Sequence, residues 1–372
     1  MINIHEPHIS FLDKIKILKS LSTNWIGKGD KVDQFENNLK NYFNFQNIIT
    51  ITSGTQALFE IFRLLKQKTN KKEIIISSMS FIGIINSLMI NDFNYIYADI
   101  DENYLSLSLK NIEEKINKNT AAVVIQHYGG RPNYEIEKIS KYLKEKNIYL
   151  IEDCATVIGA TIDSKHMGCF GDYAIWSFDC MKTITTLDGG ALYCKDKNDL
   201  EIIKNNINLG LIISPNTLYS FNQNNNFWWK INPSTYGLKN VLNNVTAGLG
   251  VSQLKKINEF IKKQKYAWDY YQNNINNKKI ELPQIAKKEI KESYFLFWLF
   301  SNERDKLAYY LKTKNIFSTF RYYPLHKTFL YENKNVSLPV TEKIYESVLC
   351  IPCHKNLTKK NLKHIVDVIN AF

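Results

Sequence analysis

Short apolar runs alternate with amphipathic stretches between residues 49 and 151, and no other feature constrains the fold of this chain as tightly. Residues 49–51, 73–77, 94–98, 121–125 and 148–151 read as strands. Between them, residues 56–65 carry Ala57, Leu58, Ile61 and Leu65 at helical spacing, a second helix runs through Met89, and residues 134–146 are amphipathic. Strand and helix recurring every ~30–40 residues predict an α/β architecture whose mainly parallel sheet is covered by helices. The rhythm weakens after Cys194. A helix over 199–206 gives way to the irregular residues 209–237, which include the aromatic run Phe227-Trp228-Trp229. A helix over 251–273, a strand-like 294–300, an amphipathic 304–314 and a closing helix over 359–372 then predict a smaller C-terminal α/β domain. A chain of 372 residues has core enough for both, and we expect a large domain over 1–250 and the smaller one over 251–372.

Composition narrows the function classes. A net charge of +12 would suit a nucleic acid partner, yet nearly all the cations are lysines, with arginine only at Arg63, Arg131, Arg304 and Arg321. Arginine is the side chain favoured for base and phosphate recognition, so a dedicated DNA-binding protein is not expected. An anionic small substrate remains compatible with the charge. No apolar run approaches the roughly 18 residues of a membrane span. Residues 1–6 lack a basic region followed by an apolar one, so no signal peptide is read and a cytoplasmic location is expected. The six scattered cysteines read as free thiols. Cys350-Ile351-Pro352-Cys353 has zinc spacing, but no second pair completes a site and no metal is expected.

Three stretches carry candidate chemistry. An apolar run over 173–178 delivers Lys182 into a threonine-rich segment, and Gly189-Gly190 then turns the chain into the apolar residues 191–194. A lysine between two buried strands is either a solvated loop residue or an amine whose pKa is lowered, or which is bonded covalently, by its surroundings. Asp153 follows the strand at 148–151, and the carboxyl ends of strands are where α/β proteins bind ligands. Thr52-Ser53-Gly54-Thr55 opens the helix at 56–65, where free N–H groups can hold a phosphate, although Ser and Thr are also the commonest plain helix caps. An amine, a strand-end carboxylate and a phosphate cradle are the protein groups that pyridoxal phosphate (PLP) needs. His127, which closes the strand at 121–125, reads as structural because no orienting partner is apparent.

Taken in order, Ser53-Gly54-Thr55-Gln56-Ala57-Leu58, Glu152-Asp153-Cys154-Ala155 and the stretch from Ser177-Phe178 through Lys182 to Asp188-Gly189-Gly190 resemble the DegT/StrS family of PLP-dependent sugar aminotransferases. Trp25-Ile26-Gly27-Lys28-Gly29, Phe35-Glu36, Tyr323-Pro324-Leu325-His326 and Leu349-Cys350-Ile351-Pro352 extend the resemblance along nearly the whole chain. The resemblance implies an aspartate-aminotransferase-like fold (PLP fold type I). It implies transfer of an amino group, with glutamate the expected donor, through PLP onto a nucleotide-linked keto sugar. Lys182 would be the Schiff-base lysine and Asp153 the partner of the pyridine nitrogen. Gly54, Thr55 and Ser177 would be cofactor-binding, and Phe81 would stack on the ring. Thr156 stands where the family usually has Gln or His against the cofactor, which leaves packing and substrate choice there open. Trp25, Lys28, Arg321 and His326 are candidates for the substrate side, with Arg131 and Arg321 able to pair a diphosphate. Lys239, together with Leu187-Asp188, resembles a subgroup whose lysine crosses a dimer interface to the neighbour's cofactor phosphate, implying a homodimer with shared sites. Two other readings stay open. Related PLP-dependent sugar dehydratases have histidine in place of the lysine, so Lys182 argues against that one. A non-catalytic PLP-binding regulator would be marked by a DNA-binding appendage, and none is visible.

Overall fold

The computed structural model describes residues 1–22, 25–211, 233–333 and 335–372; the aromatic run Phe227-Trp228-Trp229 lies outside the described residues. The chain enters through α1 (Phe11–Leu21) and α2 (Asp30–Phe43). It then alternates β1 (Ile48–Ile51), α3 (Gly54–Lys68), β2 (Glu73–Ser77), α4 (Ile82–Ile90), β3 (Asn94–Ala98), α5 (Leu109–Glu113), β4 (Thr120–Gln126), α6 (Ile136–Glu145) and β5 (Tyr149–Asp153). A small hairpin of β6 (Thr161–Ile162) and β7 (Lys165–His166) precedes β8 (Tyr173–Ser177) and β9 (Gly190–Cys194). Helices α7 (Lys197–Asn206), α8 (Asn244–Leu254) and α9 (Ile257–Asn274) follow.

Seven of these strands form one sheet in the order β1-β9-β8-β5-β4-β2-β3. β3, β2, β4, β5 and β8 pair in parallel, and β9 lies antiparallel between β8 and β1. The expected mainly parallel sheet is therefore present. Every residue of β4 is buried, as a strand covered on both faces requires. Two helical layers provide that cover. On one side α3 turns Ala57, Leu58, Ile61, Phe62, Leu64 and Leu65 inward, each large aliphatic contributing about 1.5–3 kcal/mol by burial. On the other side Ile136, Ile139 and Leu143 of α6 repeat at helical spacing against Val123, Ile125 and Leu150.

The carboxyl-terminal part adds β10 (Ile290–Lys291), which pairs with β6, and an antiparallel ribbon of β11 (Phe297–Phe300) and β12 (Val348–Ile351). Helices α10 (Arg304–Thr313), α11 (Pro339–Ser347) and α12 (Lys359–Asn370) complete it. Its own core joins Phe297, Leu299, Leu349 and Ile351 to Leu307, Leu311, Leu362 and Ile365. The helix expected over 251–273 is in fact two, α8 and α9, and the chain breaks at Lys255-Lys256, where the Lys256 ammonium pairs with the buried Asp13 of α1. The boundary expected between residues 250 and 251 falls inside α8. The chain passes between cores along α9, whose Ile257, Phe260 and Ile261 pack beneath α2 while Trp268 and Tyr271 pack on the ribbon. Among the described residues no helix is long and apolar enough to cross a membrane. The six cysteines are free thiols.

Candidate active site

The parallel strands end on one edge of the sheet, and the candidate residues gather there. Asp153 is the last residue of β5 and Ser177 the last of β8. Gly190 opens β9 opposite both Ser177 and Ile51, the last residue of β1. A Cβ at Gly190 would come within 2.7 Å of the backbone of Ser53 and Gly54, so this close strand-to-helix approach requires glycine. It brings the start of α3 against β8: a Cβ at Gly54 would lie 3.2 Å from that of Ser177. Ser53 caps α3 by accepting the Gln56 N–H at 3.1 Å, as the capping reading had it. The first-turn N–H groups of Gly54 and Thr55 have no intrahelical acceptor and carry the positive end of the helix dipole. Gly54, Thr55 and Ser177 are thus neighbours.

Lys182 sits in the loop from β8 to β9. It is half-buried, and its Nζ lies 5.4 Å from the centroid of the Phe295 ring. Among the described residues Nζ has no ion-pair partner. Burial pushes the amine below its ordinary range; the Asp153 charge opposes this and the Arg321 charge adds to it. Asp153 is buried, with Oδ1 accepting the Ala155 N–H at 3.0 Å. Burial pushes its carboxyl up, against the pull of that N–H, of Lys182 and of His127. A buried carboxyl with no cation in ion-pair contact among the described residues, an amine of lowered pKa and the free first-turn N–H groups of Gly54 and Thr55 make a set of groups that fits the PLP ring nitrogen, aldehyde and phosphate.

His127 has the orienting partner that the sequence did not reveal. Its Nε2 lies 3.0 Å from Glu152 Oε2, and its Nδ1 accepts the Asn133 N–H at 3.0 Å, which assigns the proton to Nε2. Glu152 also accepts the N–H groups of Gly168, Phe170 and Gly171 at 2.8, 2.7 and 2.6 Å. With Cys154 these two residues form a compact buried cluster of metal-ligand type, but both His127 nitrogens and both Glu152 oxygens are committed to hydrogen bonds. The cluster is a brace behind Asp153. Thr156 joins it, donating its hydroxyl to the His127 carbonyl at 2.8 Å.

The wall opposite the strand ends comes from distant segments. Phe81, at the start of α4, is about half exposed, with its ring centroid 5.9 Å from that of Tyr322. Burial pushes the Tyr322 phenol up to about 12. Arg321 reaches over the Lys182 loop, with Nη2 3.5 Å from Met181 Sδ. Sequence reasoning missed His5, which is buried and stacks on Phe295 with centroids 4.4 Å apart. Its Nε2 has no hydrogen-bond partner among the described residues, and burial, then Arg321 and Lys182, hold it well below the usual imidazole range. Nothing in the irregular first ten residues signals that placement.

Other candidates lie elsewhere. Arg131 is fully buried: it pairs with Glu292, donates to the carbonyls of Asn103 and Gln284, and lies 4.7 Å over Trp298, so it is not available to a diphosphate. His326 is buried behind β2, with Nδ1 2.6 Å from Ser78 Oγ and Nε2 3.5 Å from Glu342. Trp25 donates from Nε1 to the Lys28 carbonyl at 2.7 Å, and Asn244 ties this loop to α8 through the Trp25, Ile26 and Gly27 carbonyls. Lys239 is exposed beside the first turn of α3, where Asn240 accepts the Thr52 N–H at 3.1 Å and donates to Gln56 at 3.1 Å.

Fold and site together define an α/β protein of the aminotransferase class. Residues 11–370 match the model of the DegT/DnrJ/EryC1/StrS aminotransferase family, and the chain belongs to that family. It is 28% identical to dTDP-4-dehydro-2,3,6-trideoxy-D-glucose 4-aminotransferase of Saccharopolyspora spinosa, over 99% of this chain and 95% of that one. It is 27% identical to GDP-perosamine synthase of Escherichia coli O157:H7, over 100% and 98% of the two chains. Among solved structures, the aminotransferase TlmJ from Streptoalloteichus hindustanus superposes with a TM-score of 0.92 at 26% identity, covering 100% of this chain and 98% of that one.

Proposed function

We propose that the protein is a PLP-dependent aminotransferase that moves an amino group, with glutamate as donor, onto a nucleotide-linked keto sugar. The observation that carries this reading is the meeting of Lys182 and Asp153 at the strand ends, beside the start of α3. Bound PLP supplies an electron sink for the donor's Cα. In this reading Lys182 would hold the cofactor at its aldehyde carbon and, as the free amine, would carry the proton from the donor's Cα to that carbon. Its lowered pKa suits that task, because more of it is free amine at neutral pH. Asp153 holds the proton on the pyridine nitrogen, whose positive charge is the partner this carboxyl lacks. The N–H groups of Gly54 and Thr55, with Ser177, bind the phosphate, and Phe81 covers the ring. Arg321, whose charge acts on the amine, serves an anionic part of the substrate. The names of the relatives support the substrate class, since the two above are named for a dTDP-linked and a GDP-linked sugar.

In the same reading the active form is a homodimer, and Lys239 reaches the neighbour's cofactor phosphate. Mixing Lys182→Ala with Lys239→Ala subunits tests this, since only shared sites regain activity in mixed dimers. The function itself is tested on purified, PLP-loaded protein. Absorbance at about 410–430 nm that bleaches when L-glutamate is added supports it; a protein that retains no PLP overturns it.

A further inference from the structure

The loop that carries Lys182 is tied down at its ends and left open in its middle. The Lys182 N–H donates to the Asp179 carbonyl at 3.0 Å, and the Thr186 N–H donates to the Phe178 carbonyl at 2.9 Å. Asp179 and Thr185 side chains accept the Met181 and Leu187 N–H groups, both at 2.9 Å. The carbonyls of Lys182 and Thr183 receive no backbone N–H among the described residues. Thr183 is buried, and a buried carbonyl without a donor is costly.

Both carbonyls are met by one side chain from the far end of the chain. Lys355 Nζ donates to the Lys182 carbonyl at 3.2 Å and to the Thr183 carbonyl at 2.7 Å. Lys355 is only 6% exposed, in the segment between β12 and α12, and its ammonium lies 4.9 Å over the Phe260 ring. No carboxylate pairs with it among the described residues, so its polar partners are these two carbonyls. Burial, with Lys256 nearby, brings the ammonium down to about 8. An apolar side chain would fill the same space without that desolvation, and a water or a neutral side chain could serve the carbonyls. What a charged fork on two successive carbonyls adds is strong, directional restraint of the backbone that aims Lys182.

We propose that Lys355 is a positioning residue for Lys182, fixing the direction of the reactive amine by gripping the carbonyls of Lys182 and Thr183 from the carboxyl-terminal part of the chain. This rests on the reading of Lys182 as the reactive amine. Proton transfer needs the amine within about 2.6–3.2 Å of its target, and a misplacement of about 1 Å can cost about 100-fold in rate. Among the described residues the Lys182 side chain is held by no ion pair of its own, so the backbone is what aims it.

The test compares wild type, Lys355→Met, which keeps the apolar stem and loses every donor, and Lys355→Arg, which keeps a charged donor. Hydrogen–deuterium exchange of the cofactor-free protein reads the loop directly. We expect residues 179–186 to exchange about tenfold faster in Lys355→Met, with the rest of the sheet unchanged and partial recovery in Lys355→Arg. In PLP-loaded protein, the single-turnover reaction with L-glutamate should slow by about 10–100-fold at saturation while its half-saturating glutamate concentration moves less than about twofold. Unchanged exchange over 179–186 overturns the proposal. So does exchange that rises uniformly through the chain with no loss of single-turnover rate, which marks a merely structural lysine. If Lys355→Met does not fold, Lys355→Gln, which retains a neutral donor, is read by the same criteria. If wild type fails to react with glutamate, the functional reading is at fault, and the exchange comparison still decides the role of Lys355.

Discussion

The strand-end platform and the wall that faces it are built in different ways, and Lys182 and Lys355 show the difference. Burial lowers the pKa of both amines. On the platform, Lys182 Nζ lies 5.4 Å from the centroid of the Phe295 ring and feels the Asp153 charge, with no hydrogen bond or ion pair among the described residues. In the wall, Lys355 is hydrogen-bonded to two carbonyls. A lowered pKa alone therefore does not mark a reactive group. The informative combination is a lowered pKa with no committed partner, at the mouth of the sheet. Asp153 and Glu152 repeat the lesson side by side: Glu152 is filled by three N–H groups and His127, and Asp153 holds one N–H.

If the platform carries the chemistry, its residues give the largest effects. Lys182→Ala should abolish transamination altogether. Borohydride reduction of the loaded wild type, followed by peptide mapping, should place the label on Lys182; a label on Lys355 would reverse the comparison. Asp153→Asn should retain PLP through Lys182 and slow turnover by orders of magnitude, because an amide cannot hold the ring nitrogen's proton as a carboxylate does. Near-normal turnover in that variant would remove Asp153 from the mechanism.

The platform was legible in the sequence because each of its residues follows from local pattern. Asp153, Ser177 and Gly190 stand where an apolar run ends or begins, and Gly54 stands where a helical pattern starts. The parallel sheet followed from the same alternation. The wall was legible only in part, through the resemblance that singled out Phe81 and Arg321. His5 and Lys355 come from segments without periodicity: Phe295, on which His5 stacks, is 290 positions away, and the carbonyls that Lys355 meets are 172 and 173 positions away. His127 lacked a visible partner for a related reason: Glu152 is distant in sequence but lies beside it, because β4 and β5 pair in parallel. Arg131 looked like a phosphate ligand by residue type, and its capture by Glu292 depends on a tertiary contact.

The wall is hung on the platform through Gly129-Gly130. The Leu296 N–H donates to the Gly129 carbonyl at 2.8 Å and the Ser293 N–H to the Gly130 carbonyl at 2.9 Å, which sets Phe295 between His5 and Lys182. Gly130 has φ +98°, and a Cβ there would stand 2.5 Å from the Phe295 backbone nitrogen. Gly130→Ala should lower unfolding free energy by about 1–3 kcal/mol, measured by urea denaturation, and should disturb His5 and Phe295 more than Asp153. A variant as stable as wild type would show that the wall does not depend on this attachment.

Lys355 allows a smaller, pH-dependent test of the same wall. Its amine titrates at about 8 in the folded protein against 10.5 ordinarily. Between those values the unfolded chain binds the proton and the folded one does not, so stability rises with pH through that window. From about pH 7.5 to about pH 9 the wild type should gain roughly 1 kcal/mol relative to Lys355→Met, at about 1.4 kcal/mol per pKa unit of full difference. Equal pH dependence in the two proteins would mean that Lys355 is not desolvated as its burial implies.

Thr156 should give the smallest effect, and it is the residue at which the two regions touch. Its hydroxyl donates to the platform at the His127 carbonyl, 2.8 Å away, and its own carbonyl accepts Ser293 Oγ from the wall at 3.0 Å. Thr156→Val keeps the shape and the carbonyl but loses the first bond, and should cost about 0.5–1.5 kcal/mol. Ser293→Ala loses the second bond and leaves the first. Were the two bonds independent, the double variant would add within about 0.3–0.5 kcal/mol. We expect a larger departure from additivity, because one residue carries both bonds and a shift that relaxes one strains the other. Urea denaturation of the four proteins measures it. Additive losses would mean that the two Thr156 bonds act independently and that Thr156 does not couple platform and wall.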